Sequence, residues 1–420
     1  MRRILRGLLL SASLCISAMP AHAEPITLNV LIQGTEDPYR TIAEAFQKAH
    51  PEIRLNIGTP VPSYEEILQR TLRGIVVGDV PDVAFQGYNL MRQAAASKAV
   101  ADLTARAMDE TSLAANGYDT ALSHLCTVDG KVVGLPFAIS LPILFYNADL
   151  VRKAGGDPDA FPTTWDGVVS LAERIHALDP KYQGIYFRYA HSGNWSFQAL
   201  ITSSGGRMMG DDDKTIAFSG PAGVQALGLF RTFVDRGGMI DMSADQARQA
   251  FLASTIGIIS DSSSFLTSVS KSAAGKFELR TASYPLAADV GRLPPGGNCA
   301  TVATQDPVRQ EAAWTFVKYA VGPEAQRILA EQTGYVPVNK KALADFIAQT
   351  DPSAKLNVAL PASLLPRLTQ WYGFPPPNSA KITDAIKGRI QSVVSKAATP
   401  DQAMQSMVSD VQTLLKAGAQ

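Results

Sequence analysis

Hydrophobic positions along this chain alternate between two periods. Ile26, Leu28, Val30 and Ile32 fall on one face of an extended segment, the period-two pattern of a strand with a buried side. Asp37-Pro38 then opens a run in which Ile42, Ala45, Phe46 and Ala49 recur at helical spacing. A second alternating run, Ile53, Leu55 and Ile57, predicts another strand. Ser63 sits where a hydroxyl would cap a helix carrying Tyr64, Ile67, Leu68 and Leu72. The stretch GDVP at 78–81 ends that helix and leads into an apolar run over 83–85. Strand and helix therefore alternate, which predicts a mostly parallel sheet covered on both faces.

The middle of the chain keeps this style. Residues 135–146 read as extended, interrupted by Pro136 and Pro142. FPTTW at 161–165 leads into a helix over 166–178, and a helix over 244–252 precedes a buried strand over 256–260. Asp211, Asp212 and Asp213 lack the spaced ligands and closing Glu of a calcium loop, so they read as a solvated turn before a strand over 216–218. The last quarter is helical. One helix covers 311–321; Ile382, Ala385, Ile386, Ile390 and Val393 mark a second, and Met407, Val411 and Leu414 a third. FPPP at 374–377 breaks the chain before the second.

The N-terminus changes the compartment. Arg2, Arg3 and Arg6 precede a short apolar stretch over 8–16, and Ala21-His22-Ala23 has the small-x-small form of a cleavage site. A removable secretory leader over 1–23 is expected, with the mature chain starting at Glu24. An uncleaved anchor is the alternative, but the apolar run is too short to span a bilayer. Leu14 before Cys15 is not the small residue that a lipoprotein needs. Removing three Arg from 38 basic residues leaves 35 against 38 acidic ones, a net charge of −3. That balance is no electrostatic footprint for nucleic acid or anionic lipid. The roughly 400 remaining residues exceed one ordinary core, so two domains are expected. With no internal repeat and no long linker, they must exchange chain segments.

Two cysteines remain after the leader, Cys126 and Cys299. In an oxidising compartment they form either one bridge or two buried thiols. The mature His residues are scattered singly, with no HExxH or CxxC, so no metal site and no cofactor are expected. GxxxxGK[ST], GxSxG and GxGxxG after a strand are all missing. Glu65-Glu66 are neighbours, and adjacent helical positions do not face one another as a glycosidase pair must. A secreted chain without a catalytic constellation points to binding.

Six phrases then stand in order: AEAFQKAHPEI at 43–53, GDVPDV at 78–83, DGKVVGLP at 129–136, YNADLVRKAG at 146–155, PTTWD at 162–166 and TGYVPV at 333–338. Together they resemble the family-1 extracellular solute-binding proteins, the maltodextrin- and glycerol-phosphate-binding group, over nearly all of the mature chain. The resemblance implies an α/β, two-lobed periplasmic-binding-protein fold of the maltodextrin-binding type, with a ligand cleft between the lobes and a hinge. By that analogy lobe one takes 24–137 and 297–345, and lobe two takes 138–296 and 346–420. It further implies a monomer in the periplasm that captures a small polar ligand and delivers it to the transmembrane subunits of an ABC permease, without chemistry on the ligand and without nucleic acid.

Within the family the chain looks most similar to the glycerol-phosphate-binding branch. That likeness nominates Tyr64, Ser140, Trp195, Ser262, Ser263, Gly297 and Tyr335 as ligand-binding residues. Hydroxyls and backbone N–H groups suit polyol or phosphate oxygens; an indole suits a sugar face or a choline head. Tyr88 and Asn89 stand where the branch has an acidic residue, and Lys381 about where it has a phosphate-clamping Arg. Lys holds an anion as a point charge without the bidentate fork. The ligand is thus left among glycerol phosphate, a glycerophosphodiester and a sugar. Trp371 and Tyr372 are further candidates for the cleft wall.

Each position has a plainer reading. Trp195, Tyr335, Trp371 and Tyr372 also suit a core. Ser262 and Ser263 also suit a helix cap, Gly297 a backbone requirement, and Lys381 a solvated helix start. Two other functions stay open at this point: a secreted hydrolase of carbohydrate or phosphodiester, and a chemoreceptor accessory protein with the same lobes.

Overall fold

The computed structural model describes residues 24–109, 111–350 and 359–418, so the expected leader lies outside the described residues. Two sheets carry the fold. The first runs Val336–Pro337, Leu135–Ser140, Gly296–Val302, Val83–Gly87, Ile26–Leu31, Ile53–Ile57 across its width. The second runs Leu279–Ser283, Pro142–Asn147, Ile256–Ser262, Gln183–Phe187.

The alternation at the start of the chain does give parallel ladders, Ile26–Leu31 with Ile53–Ile57 on one side and with Val83–Gly87 on the other. The remaining ladders of that sheet are antiparallel. In the second sheet only Gln183–Phe187 and Ile256–Ser262 run parallel. Both sheets are therefore mixed, not mostly parallel. The cause is long-range: Gly296–Val302 returns to the first sheet against its neighbours, a pairing that needs no covering helix. The extended run over 135–146 divides at Leu141. Leu135–Ser140 belongs to the first sheet and Pro142–Asn147 to the second. Pro142 opens a strand, one of the few strand positions that tolerates a missing N–H.

Each sheet has its own apolar core. One gathers Leu28, Phe46, Phe85, Phe137 and Phe316; the other gathers Leu144, Ile175, Phe187, Phe233 and Ile386. The helix Tyr64–Val77 shows how the sequence places a site residue. Ser63 Oγ accepts from the Glu66 N–H at 3.2 Å, and Gly78 closes the helix at φ 77°. The face that this leaves inward buries Tyr64, Ile67, Leu68 and Thr71. Thr164 caps Trp165–His176 in the same way, through the Gly167 N–H. Asp306 caps Pro307–Ala320, which starts four residues before the expected 311.

No strand forms over 216–218; Met209 and Ile216 make only an isolated bridge. The preceding turn is local, since Asp212 accepts from the Lys214 and Thr215 N–H groups. Asp213 is not simply solvated, however. Arg92 Nη2 donates to it at 2.6 Å and the Tyr372 hydroxyl at 2.7 Å. Cys126 and Cys299 form a disulfide with Cα atoms 6.0 Å apart, which decides between the two readings of that pair.

An interlobe cavity lined by hydroxyls and indoles

Between the sheets lies a cavity of about 610 Å³. Its wall is built at strand ends. Gln33 and Thr35 follow Ile26–Leu31, Ser140 closes Leu135–Ser140, Ser262 closes Ile256–Ser262, and Arg188, His191 and Ser192 follow Gln183–Phe187. These are carboxyl ends, where the crevice of an open α/β sheet lies. Gly296 and Gly297 contribute the opposite end of the returning strand.

Tyr64, Ser140, Trp195, Ser262, Gly297, Tyr335 and Trp371 are brought together there. Tyr39, not singled out from sequence, joins Tyr64 and Tyr335. Burial holds all three phenols above the usual tyrosine range, so they remain O–H donors. Asn298 Nδ2 donates to the Tyr39 and Tyr64 hydroxyls at 3.5 and 3.3 Å. Its Oδ1 is buried and has no hydrogen-bond partner. Ser262 Oγ and Ser264 Oγ, 2.8 Å apart, add a hydroxyl pair.

Trp195 is a wall, not a free platform. It is 2% exposed and its Nε1 donates to the Pro294 carbonyl at 2.9 Å. Its helix, Trp195–Ser203, packs in the second core, while its own indole joins the first. Trp371 does the same, with the two indole centroids 6.3 Å apart. Gly296 makes room for this: a Cβ there would meet Ser140 Oγ at 2.6 Å and Trp195 Cζ2 at 3.1 Å. Gly297 has φ 112°, and a Cβ would stand 1.9 Å from the Ala138 carbonyl oxygen. It is a backbone requirement as well as a lining residue.

Five expected residues lie elsewhere. The Tyr88 hydroxyl donates to the Ala138 carbonyl at 3.0 Å, and with Asn89 and Tyr372 it lines a second cavity. The Tyr64 ring covers Gly87, where a Cβ would come within 2.6 Å of it, and past that point the chain turns Tyr88 and Asn89 away. Ser263 is fully buried; its Oγ accepts from the Leu141 N–H at 3.1 Å, joining strand ends. Lys381 is exposed and outside the lining. On its helix, Ser379–Val394, the lining stripe is Ala380, Thr383, Asp384 and Lys387, and position 381 is rotated off that stripe.

Among the charged lining residues, Glu65 accepts from Ser192 Oγ at 2.9 Å. Lys387 pairs with Asp384 at 2.9 Å. His191 stands edge-on to Trp195, and burial together with the neighbouring Arg188 pushes its pKa down to about 4. Among the described residues no helix is long and apolar enough to cross a membrane.

Residues 41–359 match a family described as bacterial extracellular solute-binding protein. The chain is 23% identical over 403 residues to the sn-glycerol-3-phosphate-binding periplasmic protein UgpB of Pectobacterium atrosepticum, covering 90% of this chain and 87% of that one. It superposes with a TM-score of 0.80 on UgpB from Mycobacterium tuberculosis in complex with glycerophosphocholine, at 19% identity over 94% of this chain and 99% of that one. Against the GacH receptor of Streptomyces glaucescens, solved unliganded and with acarbose, the TM-score is 0.78 at 21% identity, covering 94% and 99%.

Proposed function

Because this chain belongs to the bacterial extracellular solute-binding protein family, we propose that its interlobe cavity captures one small polar solute, a glycerol phosphate, a glycerophosphodiester or a sugar. The loaded protein then hands that solute, unaltered, to the transmembrane subunits of an ABC permease. It does so as a monomer in the periplasm, after loss of the leader over 1–23. The observation that carries this reading is the lining itself. Three protonated phenols, a serine pair and two indoles converge from both sheets on one space of about 610 Å³, a mixture suited to hydroxyl-bearing ligands with an apolar face.

A hydrolase would need two free carboxylates or an activated nucleophile in this space. The carboxylates that line it, Glu65 and Asp384, are engaged by Ser192 and Lys387. Glu66, next to Glu65, faces Arg70 and Arg73 instead.

The test is a thermal-shift series on protein stripped of bound solute, with glycerol 3-phosphate, glycerophosphocholine, maltose and glucose. A ligand held at a hundred times its Kd stabilises by about 2.7 kcal/mol. Stabilisation by at least one member, with the added compound recovered at its original mass, is expected. A compound converted to products would overturn the reading.

A further inference from the structure

This inference rests on the solute-binding reading and concerns one end of the cavity. With Lys381 outside, two cations among the described residues line the space, Arg188 and Lys387. Lys387 has a side chain 44% exposed and is paired with Asp384 on its own helix. Arg188 is different: its side chain is 18% exposed and it stands directly after the strand Gln183–Phe187. Phe187 pairs with Ser260 in the parallel ladder, which sets Arg188 beside Asp261 with Ser262 next in line.

Arg188 Nη1 donates to Asp261 Oδ1 at 2.8 Å. That carboxylate, 2% exposed, is shared. His191 Nε2 lies 3.5 Å from Oδ1 and Arg248 Nη1 lies 3.8 Å from Oδ2. Arg248 has a second partner, Asp245, at 2.6 Å, but Asp245 is at the surface, where water screens it. One buried carboxylate thus answers two guanidinium groups and an imidazole. Arg188 is the guanidinium of the cluster that lines the cavity, and it has a donor to spare. Its Nε is buried without a hydrogen-bond partner, and so are His191 Nε2, Arg248 Nη1 and the Oδ2 of Asp261. Phe265 holds the pair of cations in place, its ring 3.9 Å from the Arg248 guanidinium carbon and 5.6 Å from that of Arg188.

A largely desolvated cation with an unspent donor is held at a cost when only water or a neutral group faces it, and an oxyanion offsets that cost. We infer that Arg188, flanked by His191 and by the Ser262–Ser264 hydroxyl pair, receives a negatively charged oxygen group of the solute. It selects phosphate- or carboxylate-bearing solutes over their neutral counterparts. The cation that meets the solute is then Arg188, after a strand of the second sheet, and neither Lys381 nor Lys387 of the late helix.

Calorimetric titration tests this with wild type, Arg188→Gln, Arg188→Lys and Asp261→Asn. The probes are glycerophosphocholine, glycerol 3-phosphate, glucuronate and glucose. Wild type is expected to bind at least one anionic probe tenfold or more tighter than glucose; which one separates a phosphate from a carboxylate. In Arg188→Gln that preference falls at least tenfold, and Arg188→Lys restores part of it. Asp261→Asn frees positive charge, so anion affinity rises severalfold, a gain that misfolding does not imitate. An unchanged preference in folded Arg188→Gln, or a loss in folded Asp261→Asn, overturns the assignment. Wild type that binds only glucose overturns it while leaving solute capture intact. Wild type that binds none of the probes overturns both.

Discussion

Ser192 donates a hydrogen bond to Glu65 at 2.9 Å across the cavity. Ser192 begins the turn before the Trp195 helix, and Glu65 lies in the first turn of the helix that carries Tyr64. The bond ties the two lobes across the cavity that both residues line. A hydrogen bond to a charged group contributes roughly 1.5 kcal/mol, or about tenfold in a two-state equilibrium. Ser192→Ala should therefore shift the unliganded protein toward an open form by about that factor. Small-angle X-ray scattering would read this as a larger radius of gyration that returns to the wild-type value with ligand. An identical curve for both unliganded proteins would show that the bond has no part in closure.

Trp195→Ala should abolish ligand-induced stabilisation while the protein still unfolds cooperatively. The indole packs in the first core and its Nε1 donates to the Pro294 carbonyl, so the unliganded protein should also lose about 3 kcal/mol. Trp195→Phe keeps most of the packing and should recover most of that loss. Denaturant melts with and without ligand separate the two effects. Wild-type affinity in a folded Trp195→Ala protein would remove the indole from the binding wall.

The disulfide Cys126–Cys299 closes a separation of 173 residues within the first core. Breaking the link returns chain entropy to the unfolded state, worth about 5 kcal/mol for a loop of that length in the entropic account. The double substitution Cys126→Ser, Cys299→Ser should lower stability by a few kcal/mol, and native protein should show no thiol reactive to a labelling reagent. Rapid labelling of a folded sample would contradict the bridge.

His191 gives the protein an acid-side weakness. Its folded pKa is pushed down to about 4 by burial and by Arg188, against about 6.5 in an unfolded chain. The unfolded state therefore takes the proton first, and stability is lost as pH falls from about 6.5 toward 4. Between pH 7 and pH 5 this amounts to about 2 kcal/mol. Asp261, held below the usual carboxylate range by its guanidinium neighbours, adds a loss of the same sign only at lower pH. Urea melts should show His191→Gln losing about 2 kcal/mol less than wild type over that interval. Parallel losses in both proteins would exclude His191 as the source.

Local pattern carried the reading where local physics decided the outcome. The amphipathic runs at 64–72 and 244–252 became helices with Ser63 and Ser243 as caps. Tyr335, inside the TGYVPV phrase, lines the cavity. Strand direction was not legible, because the strand that makes the first sheet mixed, Gly296–Val302, enters it long after the opening alternation. The solvated reading of Asp213 failed for a similar reason, since its partner Arg92 is 121 residues away. Lys381 missed the cavity because helical phase is set by the start at Ser379, which follows the proline run. Arg188 and His191 sit in none of the six phrases. The signal that finds them is positional: they follow the carboxyl end of a strand whose ladder is parallel.

The central claim is capture without chemistry, and equilibrium dialysis against a glycerophosphodiester, followed by mass analysis of what the protein retains, tests it most directly. The account predicts saturable binding of one molecule per chain, recovered at its original mass after prolonged incubation. Retention of cleavage products, or no saturable binding together with none for glycerol 3-phosphate or a sugar, would contradict it.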